Sequence, residues 1–356
     1  MLMKSDKQQS LDVLICGGGH QGVAMAAHFS LSGLSVGLWN RTARNIQRIM
    51  DTRTIHCDGV VEGEARIDAV SDQIGDVIAD FIIIAAPSLA HRDIARRLAP
   101  YVHRHMSIVL MPGRTFGAVE FLETLKEAGA KEMPQIAETQ TIVYTCRRQG
   151  DQGVRIFALK QKVLIAALKE SSMDHIMQGM PACLAPHFEI TDSIAKTSMA
   201  NVGMILHCAP VLMNTGWIEF EAADFAYYHQ GISPTVAHFL EKLDRERLAI
   251  AKAAGHPVES VLAWLRRSYE TEGETLYAAI QNNTRYSGID APTSMDTRYI
   301  LEDVPNGLVP IEYLGQELGV PTPHMTAIID LASLVYERDF RAQGRRFGLQ
   351  VLKQEW

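Results

Sequence analysis

Residues 13–26 read Val-Leu-Ile-Cys-Gly-Gly-Gly-His-Gln-Gly-Val-Ala-Met-Ala. A short apolar strand enters a glycine turn and leaves it as a helix. Gly17, Gly19 and Gly22 have the G-x-G-x-x-G spacing of a dinucleotide-binding turn. The first glycine permits the tight turn, and the second lets the backbone approach a pyrophosphate. The third lets the helix pack close to the strand. N–H groups at the helix start, around His20 and Gln21, then face phosphate with the help of the helix dipole. Glycine turns are common, so the flanks decide. An apolar run at 11–16 precedes this one, a helix-compatible stretch at 21–31 follows, and a second strand is expected at 35–39. The bland alternative is a strand–turn–helix with no ligand.

The end of that second strand discriminates between cofactors. NAD-binding chains usually carry Asp or Glu there for the ribose 2′-OH. This chain has Asn40-Arg41-Thr42, then Arg44. No carboxylate repels a 2′-phosphate. Asn40 and Thr42 can donate hydrogen bonds, and the Arg41 guanidinium can pair or stack. NADP(H) is therefore expected over NAD(H). The competing reading makes Asn40 the cap of the next helix and the arginines merely solvated.

With 356 residues the chain has room for two domains. The net charge of −7 and the lack of a basic run argue against a nucleic-acid partner. No apolar stretch approaches the ~20 residues that span a bilayer. The segment 1–10 is polar, without the apolar centre of a signal peptide. Five scattered cysteines, with no C-x-x-C pair, suit a reduced cytoplasmic protein with no metal site.

The first half alternates strands and helices. The run 80–86 (DFIIIAA) reads as a parallel strand buried on both faces. Pro87 ends it and is counted among the cofactor-binding residues. A helix at 88–98, a strand at 107–111 and a helix at 116–128 follow. Strand-like runs come near 135–137, 142–146, 154–159 and 162–167. After about residue 190 long helical patterns take over, at 193–214, 234–254, 258–269 and 324–336. The fold class is thus α/β. A Rossmann doubly wound sheet over 1–190 is followed by an all-helical domain over 191–356.

The helical half carries a second cluster. Asn201-Val-Gly-Met-Ile-Leu-His207-Cys-Ala-Pro210 is expected inside the long helix 193–214. Pro210 should bend it and free the carbonyl of Leu206. Far downstream comes Thr297-Arg298-Tyr299-Ile-Leu-Glu302-Asp303. Read alone, His207 is more often a satisfied core histidine than a catalyst, and Arg298 would pair with Glu302 one helical turn on.

The combination resembles the opine dehydrogenases, the octopine and nopaline dehydrogenase family, and its bacterial members above all. The resemblance covers nearly the whole chain. It includes the glycine turn, Glu138 to Arg147, Tyr227-Tyr228 with Gly231-Ile-Ser-Pro234, Glu246-Arg247-Leu248 and Gly307-Leu-Val-Pro310. Its most specific pieces are the Asn201…His207 and Arg298…Asp303 runs. The resemblance implies an oxidoreductase that joins a 2-oxo acid, pyruvate or 2-oxoglutarate, to the amino group of an amino acid and reduces the imine. It implies a helical domain like the carboxyl-terminal domain of 6-phosphogluconate dehydrogenase. A homodimer is expected, though the sequence does not fix the oligomeric state. His207 matches the family's catalytic histidine and Asp303 its dyad partner. Arg298 matches the arginine for the oxo-acid carboxylate, with Asn201 and Thr141 as further substrate-binding residues. One departure concerns position 203. Relatives often carry asparagine four residues before the histidine, where this chain has Gly203. That substitution removes a polar group beside His207 and is expected to open space there.

Two other functions compete. A reductase of a simple 2-oxo or 2-hydroxy acid, of the ketopantoate or glycerol-3-phosphate dehydrogenase kind, would use a catalytic lysine, and none stands at position 207. A non-catalytic NADP(H)-sensing module would explain neither His207 with Asp303 nor Arg298.

Overall fold

A computed structural model describes residues 10–220 and 224–353; part of the polar amino-terminal segment, 1–9, lies outside them. The chain forms two compact units. The first takes the described residues up to Pro112, together with Glu120–Ile190. The second takes Gly113–Val119 and the described residues from Thr191 onward.

The first unit is built on twelve strands. These are β1 (Val13–Cys16), β2 (Val36–Trp39), β3 (Thr54–Gly59), β4 (Gly63–Arg66), β5 (Ala69–Ser71), β6 (Phe81–Ile84), β7 (Ser107–Leu110), β8 (Gln135–Thr139), β9 (Tyr144–Gln149), β10 (Gly153–Leu159), β11 (Val163–Ala167) and β12 (Phe188–Ile190). Eight of them form one sheet in the order β12-β11-β8-β7-β6-β1-β2-β5. All pair in parallel except β11 with β8. The order reverses at β1, which lies between β2 and β6. At such a switch point the carboxyl ends of the strands leave a crevice for ligand. The glycine turn follows β1.

The remaining four strands form a second sheet, β4-β3-β10-β9. This corrects the sequence expectation that the strands near 142–159 extend the doubly wound sheet. A hairpin at Gly150 (φ 60°) turns β9 back on β10 as an antiparallel pair. The helix His20–Leu31 explains why this sheet exists. Every residue of Gly22–Ala27, and Phe29, is buried. A helix that is apolar all round needs cover on more than one side. One hydrophobic core joins it to β1 and β2 and to Ile55, Cys57, Val154 and Ile156 of the second sheet. His28 Nδ1 meets the Tyr144 hydroxyl at 2.9 Å. Each large apolar side chain buried there contributes roughly 1.5–3 kcal/mol.

The second unit is helical, as expected, with one correction. The stretch 193–214 is two helices, Ile194–Met199 and Gly203–Met213. Arg247, fully buried on the helix Pro234–Ala253, donates to the Met199 carbonyl at 2.6 Å and caps the first. Asn201 Oδ1 accepts at 3.1 Å from the N–H of Gly203, the first residue of the second, whose N-cap is Val202. At the break a buried arginine holds the last carbonyl of one helix and Asn201 holds the first N–H of the next. Among the described residues, no helix is long and apolar enough to cross a membrane, and no group of three metal-ligating side chains assembles.

Candidate functional site

The cofactor turn comes first. A Cβ at Gly17 (φ 128°) would lie 2.5 Å from the Ala85 carbonyl oxygen, and one at Gly22 would lie 1.7 Å from Gly17 O. At Gly19 a Cβ would meet nothing within 4 Å. The first and third glycines are therefore needed for packing, and the second faces open space. No side chain caps the helix that starts at His20. Unfilled space beside an uncapped helix N-terminus fits the phosphates of a dinucleotide. Arg148, which the sequence did not single out, braces the turn. Its Nη1 donates to Gly18 O at 2.9 Å and Asn45 O at 2.8 Å. Its backbone N–H donates to His20 Nδ1 at 2.9 Å, so the neutral ring carries its proton on Nε2.

The side chains around this turn divide. Gln21 points away, its Nε2 donating to the Tyr144 carbonyl at 3.2 Å. What it can offer a phosphate is its backbone N–H. Asn40 Oδ1 accepts from Gly18 N at 2.9 Å, and its amide donates to the Thr42 carbonyl. Asn40 thus braces the glycine turn and caps no helix, which settles one of the alternatives left open by the sequence. Arg41, Thr42 and Arg44 are exposed, and Arg41 lies 3.7 Å from Asp93. Pro87 is exposed just beyond the carboxyl end of β6, the neighbour of β1. Thr141 follows β8 in the same unit, its carbonyl accepting from the Thr139 hydroxyl at 2.9 Å.

In the second unit, His207 Nδ1 and Asp303 Oδ2 are 2.7 Å apart, across 96 residues of sequence. His207 sits mid-helix in Gly203–Met213, and Asp303 opens a single π-helical turn, Val304–Leu308. Such widened turns recur at functional sites. Tyr299 stacks on the imidazole at 4.0 Å, and the Tyr228 hydroxyl lies 3.3 Å from Nε2. Pro210 frees the Leu206 carbonyl as expected. The Tyr227 hydroxyl covers the gap, 2.9 Å from His207 O and 3.3 Å from Leu206 O. The histidine is thus held through its ring and through its own backbone.

Arg298 and Glu302 do not pair. Glu302 Oε1 instead lies 3.4 Å from Arg114 Nε, and Arg114 Nη1 lies 3.4 Å from Asp303 Oδ1. Arg298 is exposed and makes no ion pair among the described residues. Asn201 is buried, and its Nδ2 has no partner among them. Arg114 is the residue that sequence reasoning missed. Its guanidinium fills the space that Gly203 was expected to leave open. A Cβ at position 203 would lie 2.8 Å from Arg114 Nη1 and 3.4 Å from the His207 ring. No motif marks Arg114, because what places it is a backbone conformation. Arg114 (φ 60°) and Phe116 (φ 57°) are left-handed, at about 1–2 kcal/mol each. Buried Arg345 donates to the carbonyls of Gly113 and Thr115, and Phe116 N donates to Ser198 Oγ at 2.8 Å. These bonds hold the strained loop.

The charges are interlocked. Burial pulls the His207 pKa down and outweighs the Asp303 hydrogen bond that opposes it; Arg114 and Arg298 push the same way as burial. Burial pushes Asp303 up, yet Arg114, the His207 hydrogen bond and Arg298 outweigh it and hold its carboxyl below the ordinary range. A neutral imidazole beside an ionised carboxylate is the resting state this favours.

Fold and site together put the chain among the dehydrogenases that combine a dinucleotide-binding α/β unit with a helical unit. Comparison with known proteins narrows this. Residues 190–336 match the model of the NAD/NADP octopine/nopaline dehydrogenase alpha-helical domain. Residues 12–140 match the NAD-dependent glycerol-3-phosphate dehydrogenase N-terminus. Over 340 residues the chain is 37% identical to an opine dehydrogenase of Arthrobacter sp. (strain 1C), covering 95% of this chain and 94% of that one. It is 25% identical to the protein ocs of Agrobacterium tumefaciens (strain Ach5), over 78% of this chain and 75% of the relative. Octopine dehydrogenase solved with NADH and L-arginine has the same fold, with a TM-score of 0.72 at 20% identity, covering 91% and 89% of the two chains. Yersinopine dehydrogenase does too, with a TM-score of 0.76 at 16% identity and 98% of each chain covered. The chain belongs to the opine dehydrogenase family, and it is an NAD(P)-dependent dehydrogenase acting on CH–NH bonds.

Proposed function

We propose that this enzyme uses NADPH to join a 2-oxo acid, pyruvate or 2-oxoglutarate, to the amino group of an amino acid, giving an opine in a reversible reaction. The observation that carries the reading is the buried 2.7 Å contact of His207 with Asp303, which leaves Nε2 as the working nitrogen. The amine adds to the oxo-acid carbonyl and forms a carbinolamine. His207, once protonated, gives its proton to the departing hydroxyl, which leaves as water. Asp303 keeps the proton of Nδ1 in place and stabilises the imidazolium. Gly17, Gly19 and Gly22, with His20 and the backbone of Gln21, would hold the dinucleotide, which would supply the hydride that reduces the imine. In the oxidative direction neutral His207 takes the proton back.

Arg298 is the proposed clamp for the oxo-acid carboxylate, since its guanidinium is exposed, makes no ion pair among the described residues and acts electrostatically on both members of the dyad. Asn201 Nδ2, a buried donor without a partner among the described residues, is reserved for substrate, because leaving it unpaired costs about 1–3 kcal/mol. Thr141 is a further proposed substrate-binding residue. Arg298→Lys keeps the charge and loses the two-pronged geometry. The oxo-acid KM should rise about tenfold or more, while the NADPH dissociation constant holds. An unchanged KM would remove Arg298 from the site.

The 2′-phosphate is assigned to Arg41, Thr42 and Arg44, with Asn40 bracing the turn and Pro87 lining the same end of the sheet. The Arg41–Asp93 pair is largely exposed and worth little, so it does not withhold the guanidinium. Arg41→Ala should lower kcat/KM for NADPH about tenfold and leave NADH nearly unchanged. A wild type as efficient with NADH as with NADPH would end the assignment. The proposed division is a cofactor domain over 1–190, less 113–119, and a catalytic domain over 191–356. A cytoplasmic homodimer is the accompanying expectation. The experiment that tests the reading is a grid of oxo acids against amino acids, followed by NADPH oxidation. Oxidation should require both partners, and oxidation by an oxo acid alone would favour a simple 2-oxo acid reductase.

A further inference from the structure

We propose that Arg114 is a positioning residue of the His207–Asp303 pair, admitted to the site by the missing side chain at Gly203. The inference rests on the acid–base reading of that pair. Asp303 is almost wholly buried and has two oxygens to place. Oδ2 lies against His207 Nδ1. Oδ1 has no hydrogen bond among the described residues, and the group that faces it is Arg114 Nη1 at 3.4 Å. A carboxylate held at one oxygen alone can rotate about its Cβ–Cγ bond. A guanidinium on the other oxygen stops that rotation and keeps Oδ2 aimed at the imidazole. Glu302 takes Arg114 Nε, so the guanidinium is itself held from a second side.

Two further features mark this as built. Arg114 has a left-handed backbone, held by the bonds from Arg345 and by Phe116 N to Ser198 Oγ. Strain kept in place beside a functional pair points to a role for the side chain it directs. Gly203 is the second. Any side chain there would put its Cβ 2.8 Å from Nη1, inside contact distance. Arg114 and Gly203 therefore form one device, in which the absence of one side chain makes room for the other.

The charge of Arg114 also acts on His207. The groups facing the imidazole are Asp303 at Nδ1, the Tyr228 hydroxyl at Nε2, the stacked Tyr299 ring, and the charges of Arg114 and Arg298. Removing the Arg114 charge should make His207 bind its proton more tightly.

The test is a histidine-ring NMR titration of the full chain, with the His207 signal assigned by its loss in His207→Ala. It needs no substrate. Arg114→Met should make His207 bind its proton about tenfold more tightly. Arg114→Lys should restore most of the wild-type midpoint, which a purely structural role would not produce. Gly203→Ala, which displaces the guanidinium without removing it, should move the midpoint in the same direction. Arg114→Met with Gly203→Ala should go no further than Arg114→Met alone. Where Arg114→Met does not fold, the Lys and Gly203 variants carry the test. An unmoved midpoint in folded Arg114→Met and Gly203→Ala would overturn the proposal. Wild-type turnover in His207→Ala would instead overturn the acid–base reading beneath it.

Discussion

Replacing His207 with asparagine should cut turnover by about 10²–10⁴-fold, the usual scale for losing a positioned acid–base group. Cofactor binding should survive, since the glycine turn lies in the other unit and shares no residue with the pair. Asp303→Asn should also be severe. An amide cannot stabilise an imidazolium, and it offers Nδ1 a donor as readily as an acceptor. Because the two residues act together, the double variant should be little worse than His207→Asn alone. The pH dependence follows from the burial that lowers the His207 pKa. Opine oxidation needs the neutral ring, so activity in that direction falls as pH drops through a midpoint below the ordinary histidine value. Imine formation and reduction need the protonated ring, so activity in that direction falls as pH rises through the same group. Both limbs should vanish in the His207 variant. A folded variant with near wild-type turnover would end the mechanism.

Gly22→Ala should abolish cofactor binding, with at least a ~100-fold rise in the dissociation constant, because the new Cβ would lie 1.7 Å from the Gly17 carbonyl oxygen. Backbone must move, and it is the backbone of the phosphate turn itself. Gly19→Ala is the informative partner. Nothing stands within 4 Å of its Cβ position, so folding should be untouched. The methyl group would project into the space assigned to the pyrophosphate, and affinity should still fall, by about tenfold. Dinucleotide titration with thermal unfolding of each variant separates the two effects. A Gly19→Ala protein with wild-type affinity would move the phosphates elsewhere.

The parts of this molecule legible in its sequence were those fixed by local chemistry. The glycine turn, the strand ending before Pro87 and the helical pattern over 234–254 each follow from residues within a few positions of one another. The break at Asn201 was hidden because apolar periodicity continues across it. Its cause, Arg247 on the Met199 carbonyl, lies 48 residues away. Glu246, in the same matched run, caps the helix Pro323–Val335 at His324 N and Met325 N. That run is therefore a structural joint. The second sheet escaped because β3 and β4 are half-exposed, and the demand for them comes from the buried helix face they cover.

The active pair was legible only as a family pattern. Arg298 and Glu302 have the spacing of a helical ion pair, yet the helix that begins at Arg298 ends at Leu301. Glu302 turns to Arg114 instead. No local rule foresees a partner 188 residues away on a left-handed loop. Gly203 was read as a lost contact for the same reason, and the side chain that replaces it comes from elsewhere in the chain.

The most direct measurement follows the hydride. NADPH deuterated at both C4 positions is incubated with the enzyme, an oxo acid and the amino acid that supports oxidation, and the products are resolved by mass spectrometry. One deuterium is expected in a secondary amine that carries the carboxylates of both partners, on the former carbonyl carbon that now bears nitrogen. Deuterium appearing in a 2-hydroxy acid, with the amino acid returned unchanged, would contradict it.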